Sequence, residues 1–197
     1  MKIISLACAF LLLLVGHVLA IAPINSETIK EAQDYGKFNA QYQGFLLPWI
    51  SYEENATNLN DTAEHAYLYT SFLLMATDAR EKSLTGQNIT VLDGERVVAD
   101  YTELLSFSTV LLGGQQDFAQ NASVTIKQDD KVIKAYQIVI PLSAEKVSQD
   151  TGQTLFKAQC YFYFLEKDIE LNAPVKLLIS TGDQKGHSFY FDLAKIK

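Results

Sequence analysis

The chain is short of the residues from which disulfide frameworks and the commoner catalytic centres are built. It holds two cysteines, three histidines and one tryptophan in 197 residues. Cys8 and His17 both lie in an apolar leader, so beyond it a single thiol, Cys160, remains and no internal disulfide can form. Zinc sets built on cysteine pairs or on His-Glu-x-x-His cannot be assembled. There is no Gly-x-Ser-x-Gly elbow, and Gly113-Gly114 lacks the Lys-Ser/Thr that follows a phosphate loop. Positive charge is scarce as well. Sixteen Lys+Arg against 23 Asp+Glu leave a net charge of −7 and a pI near 4.9, which argues against sequence-independent binding to nucleic acid or anionic lipid. The sequence therefore implies no cofactor, no metal and no catalytic constellation.

What is present first is an export signal. Met1-Lys2 gives a short positive start, Ile3 to Val15 is almost wholly apolar, and Gly16 to Ala20 ends in small residues. This pattern reads as a signal peptide over 1–20, with Val18 and Ala20 before the cleaved bond; cleavage after Ala22 would put Pro23 beyond it. An uncleaved anchor is the competing reading, because Ile3 to Ala22 approaches the ~20 residues that span a bilayer. Polar His17 and the small-residue end favour cleavage, with no membrane span left afterwards. The mature chain would then have 177 residues and a charge of −8. Sequons at Asn55, Asn60, Asn88 and Asn121 suit a eukaryotic secretory route. The absent disulfides and very short positive start suit a bacterial periplasm or cell surface, which is the preferred expectation.

Residues 21–61 read as a helix followed by a polar loop. Ser26 opens a segment in which Ile29, Ala32, Gly36 and Ala40 recur at helical spacing to about Tyr42. Phe45 to Ile50 is an apolar patch, and Ser51 to Asp61 reads as solvated. Residues 62–197 read as the β-rich domain. Ala66 to Ala76 satisfies neither period cleanly and is assigned to a strand covered on both faces. A short helix ending at Gly86, a strand over Ile89 to Leu92 and an Asp93-Gly94 turn follow. From Leu104 the alternation repeats: Leu104 to Leu112, Ser123 to Lys127, Val132 to Ile140, Leu155 to Leu165, Val175 to Thr181 and Ser188 to Leu193. Turn residues divide these runs at hairpin spacing. The expected fold is thus mainly β, an antiparallel immunoglobulin-like sandwich with an N-terminal helical segment.

Tyr161 and Tyr163 alternate with Phe162 and Phe164, and Tyr190 alternates with Phe189 and Phe191. If the two strands share a sheet, one face carries tyrosines, a surface that joins apolar area to hydrogen-bonding tips. The preferred alternative is that these tyrosines pair across strands and pack beneath the N-terminal helix and the Phe45 to Ile50 patch, which needs a partner surface. Tyr161, Tyr163, Tyr190 and Trp49 are the candidate binding residues for an unidentified protein or glycan partner. Two other functions compete with this non-enzymatic binding module. A hydrolase would need Glu64, His65, His187 and Asp192 in one cleft. A carrier of a small apolar ligand would line a cavity with Phe45 to Ile50 and Ala66 to Met75. Asp117, Asp129, Asp130, Asp150 and Asp183 fall in turns without a calcium-loop spacing, so local backbone bonding explains them better than a cation.

Overall fold

The computed structural model describes residues 24–41, 48–59, 62–101, 103–148 and 154–197. Residues 1–23, which include the expected signal peptide, residues 42–47, the sequon asparagine Asn60, and Asp150 with its turn lie outside the described residues. Among the described residues the chain is mainly β, with ten strands in two antiparallel sheets and three α-helices. Sheet A runs β1 (Ile50–Tyr52), β2 (His65–Tyr69), β3 (Leu104–Gly113), β8 (Thr154–Leu165), β6 (Gln137–Val139), with β7 (Glu145–Ser148) also on β8. Sheet B runs β10 (Gly186–Asp192), β9 (Pro174–Ser180), β4 (Ser123–Gln128), β5 (Lys131–Lys134).

Strict alternation turns Leu105, Phe107, Phe162 and Phe164 of sheet A, and Ile126, Leu177, Phe189 and Phe191 of sheet B, into one buried core. The sheets meet face to face through Phe107, whose ring lies 5.4 Å from that of Phe191. Cys160 occupies this layer beside Ala158 and Phe162, and burial pushes its thiol up to about 12. It is a core hydrophobe, as its parity with Phe156, Phe162 and Phe164 implies.

Five expectations are corrected. Ala66 to Ala76 is not one strand: β2 ends at Tyr69, and the Thr70 hydroxyl accepts the Leu73 amide proton to start α2 (Ser71–Leu84). The continuous apolar run arises because an inward strand residue, Leu68, is followed at once by a helix burying Phe72, Leu73, Met75, Ala76 and Ala79. Ile89 to Leu92 is not a strand either, since Thr90 and Asp93 cap each other and open α3 (Val91–Tyr101). The Asp93-Gly94 pair is therefore helical, not a turn. Val132 to Ile140 breaks at Ala135-Tyr136, where the chain leaves sheet B as β5 and enters sheet A as β6. Ser51 and Tyr52 of the expected polar loop, with Ile50 of the apolar patch before it, form β1 and pair with β2.

The N-terminal helix, α1 (Ser26–Phe38), is capped by Asn25, whose side-chain oxygen accepts from the amides of Glu27 and Thr28 at 2.9 Å. It docks on α2 and α3 through glycines. A Cβ on Gly36 would stand 2.1 Å from the Ala76 carbonyl oxygen, and one on Gly94 2.4 Å from the Ile29 side chain. The helices cap the end of the two sheets at which β2 stops and β3 begins. Trp49 is buried there, stacked on Phe72 at 5.9 Å and tilted against Tyr35 at 5.5 Å, and its Nε1 donates to the Lys197 carbonyl. The apolar positions Trp49, Leu68 and Leu73 are thus packed core. At one lateral edge the Glu54 amide donates to the Ser188 carbonyl, tying the segment after β1 to β10.

Candidate functional site

Residues opposite one another in antiparallel register share a face. Tyr67 on β2 stands opposite Ser108 on β3, which stands opposite Tyr161 on β8; one step along, Tyr69, Ser106 and Tyr163 repeat the row. Alternation places all six on the side of sheet A away from the core. Tyr52 and His65 form a third pair on the same face. Adjacent rings along the edge touch: Tyr52 to His65 at 6.0 Å, His65 edge-on to Tyr67 at 5.7 Å, and Tyr67 to Tyr69 at 6.3 Å. His65 Nδ1 donates to the Ala63 carbonyl at 2.8 Å, which fixes the ring.

With strands about 4.8 Å apart, the tyrosines of β2 and β8 stand roughly 10 Å from each other across β3. Between them the short serines are shielded by their taller neighbours: Ser106 and Ser108 are 6% and 5% exposed, whereas Tyr161 is 40% exposed. Ser108 Oγ accepts from Gln159 Nε2 at 3.2 Å. Among the described residues Ser106 Oγ is buried with no hydrogen-bond partner. Burial raises the phenols of Tyr69 and Tyr163 above the ordinary tyrosine range, and the nearby Tyr161 hydroxyl adds to both.

The four candidate binding residues therefore separate. Tyr161 and Tyr163 lie on this face, Tyr190 stands half-exposed on the outside of sheet B opposite Lys176, and Trp49 is in the core. The strands carrying Tyr161 and Tyr190 do not share a sheet. Tyr52, His65, Tyr67 and Tyr69 were missed because β1 fell in a polar stretch and β2 in an ambiguous one. Their own alternation, His65-x-Tyr67-x-Tyr69, was the signal that could have found them.

A second constellation occupies the end opposite the helices. His187 is fully buried between the sheets; its Nδ1 lies 3.1 Å from Glu64 Oε2, and its Nε2 3.3 Å from Thr181 Oγ1. Glu64 Oε1 also accepts from the Leu112 amide at 2.7 Å and from Lys185 Nζ at 3.1 Å. Burial would raise the Glu64 carboxyl, but the His187 hydrogen bond and charge, the Leu112 amide and Lys185 outweigh it and hold the group below the usual carboxylate range. Thr181 donates to Asp183 Oδ1 at 2.6 Å, which ties the network to the turn after β9. Next to this network opens a cleft of about 480 Å³ floored by Glu64, Leu112 and Lys185. Of the hydrolase candidates, the fold thus brings Glu64 and His187 together. His65 points to the outer face, and Asp192 pairs with Lys195 at the far end of β10.

Asp183 is engaged within its own turn, Asn55 binds Glu53, and Asn88 and Asn121 are exposed. Among the described residues no group of three metal-ligating side chains converges, and no helix is long and apolar enough to cross a membrane. Compared with known proteins, the chain matches no protein-family model and no curated protein sequence.

Proposed function

We propose that the chain is an exported, non-enzymatic binding module of immunoglobulin-like sandwich architecture, and that it engages its partner through the outer face of sheet A. The observation that carries this reading is the tyrosine rows themselves. Tyr52, Tyr67, Tyr69, Tyr161 and Tyr163 hold large amphipathic rings on a rigid sheet, and such rings lose little entropy when bound. The outward side of a strand ordinarily carries charged or small polar residues, and here it carries tyrosines. Export to a bacterial periplasm or cell surface, or eukaryotic secretion, rests on the leader over 1–20. The test is capture from the native extracellular or periplasmic fraction with wild-type protein and a Tyr67→Ala/Tyr161→Ala variant. Stoichiometric recovery of a partner by the wild type only supports the reading, and equal recovery by both refutes it.

A secreted hydrolase is the second reading, favoured by the Glu64–His187–Thr181 order of carboxylate, imidazole and hydroxyl. Thr181 is 4% exposed and its proton is directed at Asp183, so the network serves better as a clamp between the sheets. Loss of a hydrolytic activity in a folded Thr181→Val variant would reverse that preference.

A further inference from the structure

We infer that the ligand of this face is an uncharged glycan; the inference rests on the binding reading above and narrows it. The first observation is charge. The rows Tyr67-Ser108-Tyr161 and Tyr69-Ser106-Tyr163, and the neighbouring Tyr52, His65, Val110 and Gln159, hold no Asp, Glu, Lys or Arg. Among the described residues the charged groups stand at the ends, where Lys157 pairs with Glu145, where Arg80 and Glu81 lie near Tyr69, and where Glu103 and Glu166 follow the Leu104–Leu165 pair. On a chain of net charge −7 such a neutral field offers nothing to an acidic polymer and no carboxylate to a basic one.

The second observation is the mixture of groups. A pyranose presents apolar C–H faces and a rim of hydroxyls, so it needs ring faces to stack on and neutral donors and acceptors beside them. Tyrosine rings flanking serine hydroxyls and the Gln159 amide supply both within two interstrand spacings. The third is Ser106. A buried hydroxyl without a partner costs free energy, and here it lies between Tyr69 and Tyr163 on the binding face, not in the core. A sugar hydroxyl reaching between those rings would complete its hydrogen bonding.

The experiment is calorimetric titration of the full chain with neutral hexasaccharides (cello-, chito- and malto-series) and with polygalacturonate as the acidic control. One neutral series should bind, and Tyr161→Ala and Tyr67→Ala should each weaken it about tenfold or more. Tyr161→Phe should retain most of the affinity, and Ser106→Ala should weaken binding without lowering stability. Trp49 fluorescence verifies that each variant is folded, and Tyr190→Ala on the other sheet is the control expected to bind normally. Polygalacturonate binding alone overturns the inference. No saccharide binding, together with a captured protein partner that depends on Tyr67 and Tyr161, overturns the glycan but leaves the binding face standing. Neutral-glycan binding that neither tyrosine variant weakens overturns both.

Discussion

Replacing Glu64 by alanine removes the acceptor at the centre of the only described polar network that joins the two sheets through a buried imidazole. The Lys185 contribution is discounted first, because that side chain is 49% exposed and such bridges are worth about 0–1 kcal/mol. What remains is a His187 side chain with no exposure and a Leu112 amide, both facing an empty position. Leaving a buried partner uncompensated costs about 3–5 kcal/mol. Glu64→Gln keeps a carbonyl oxygen for the Leu112 amide and should cost about 1–3 kcal/mol. Urea denaturation followed by Trp49 fluorescence at neutral pH measures both. The pH dependence gives an independent handle. The folded-state pKa of Glu64 is depressed, so its contribution is fully present above the unfolded value of about 4.3 and is lost as pH falls through the folded value. The stability gap between wild type and Glu64→Gln should therefore narrow as the pH falls below about 4. A Glu64→Ala variant within about 1 kcal/mol of wild type, or a gap that widens below about pH 4, would refute the clamp.

Cys160→Ala should cost on the order of 1 kcal/mol and leave binding intact, and a water-soluble thiol reagent should label Cys160 only at the rate of unfolding. Trp49 should emit with a blue-shifted maximum, resist soluble quenchers, and shift red together with loss of the β-sheet signal; a red, quencher-accessible Trp49 in the native monomer would contradict its place in the stack. Gly36→Ala should destabilise by about 1–3 kcal/mol, because its Cβ collides with the backbone of α2 and neither helix can yield cheaply; a neutral effect by thermal melt would show that the two helices sit further apart.

Of the strands from Leu104 onward, β4, β8, β9 and β10 are legible because each buries one face and alternates, so period and burial agree; β7 is not, being only four residues long. Phe162 and Phe164 inward with Tyr161 and Tyr163 outward is the clearest case. Alternation also fixed Cys160 in the core. It did not reveal where β2 ends, because five strand residues run into an apolar helix with only Thr70 between them. Nor did it reveal the change of sheet at Ala135-Tyr136, because a strand that turns a corner keeps its composition. The Glu64–His187 contact joins residues 123 apart, and only folding brings them together. A trace of it was nevertheless present: His187 shares inward parity with Phe189 and Phe191, and Glu64 with Ala66 and Leu68. A histidine and a carboxylate on inward positions each require a buried partner. Tyr190 misled because parity identifies a face of a strand and not the sheet to which the strand belongs.

The most direct test of the central claim is tyrosine-selective chemical footprinting of the protein free and in the presence of the extracellular or periplasmic fraction to which its export is proposed, resolved by residue. Tyr190, on the outside of the other sheet, is the internal standard. The account predicts protection of Tyr52, Tyr67, Tyr161 and Tyr163 with Tyr190 unchanged. Protection of Tyr190 with those four unchanged would contradict it.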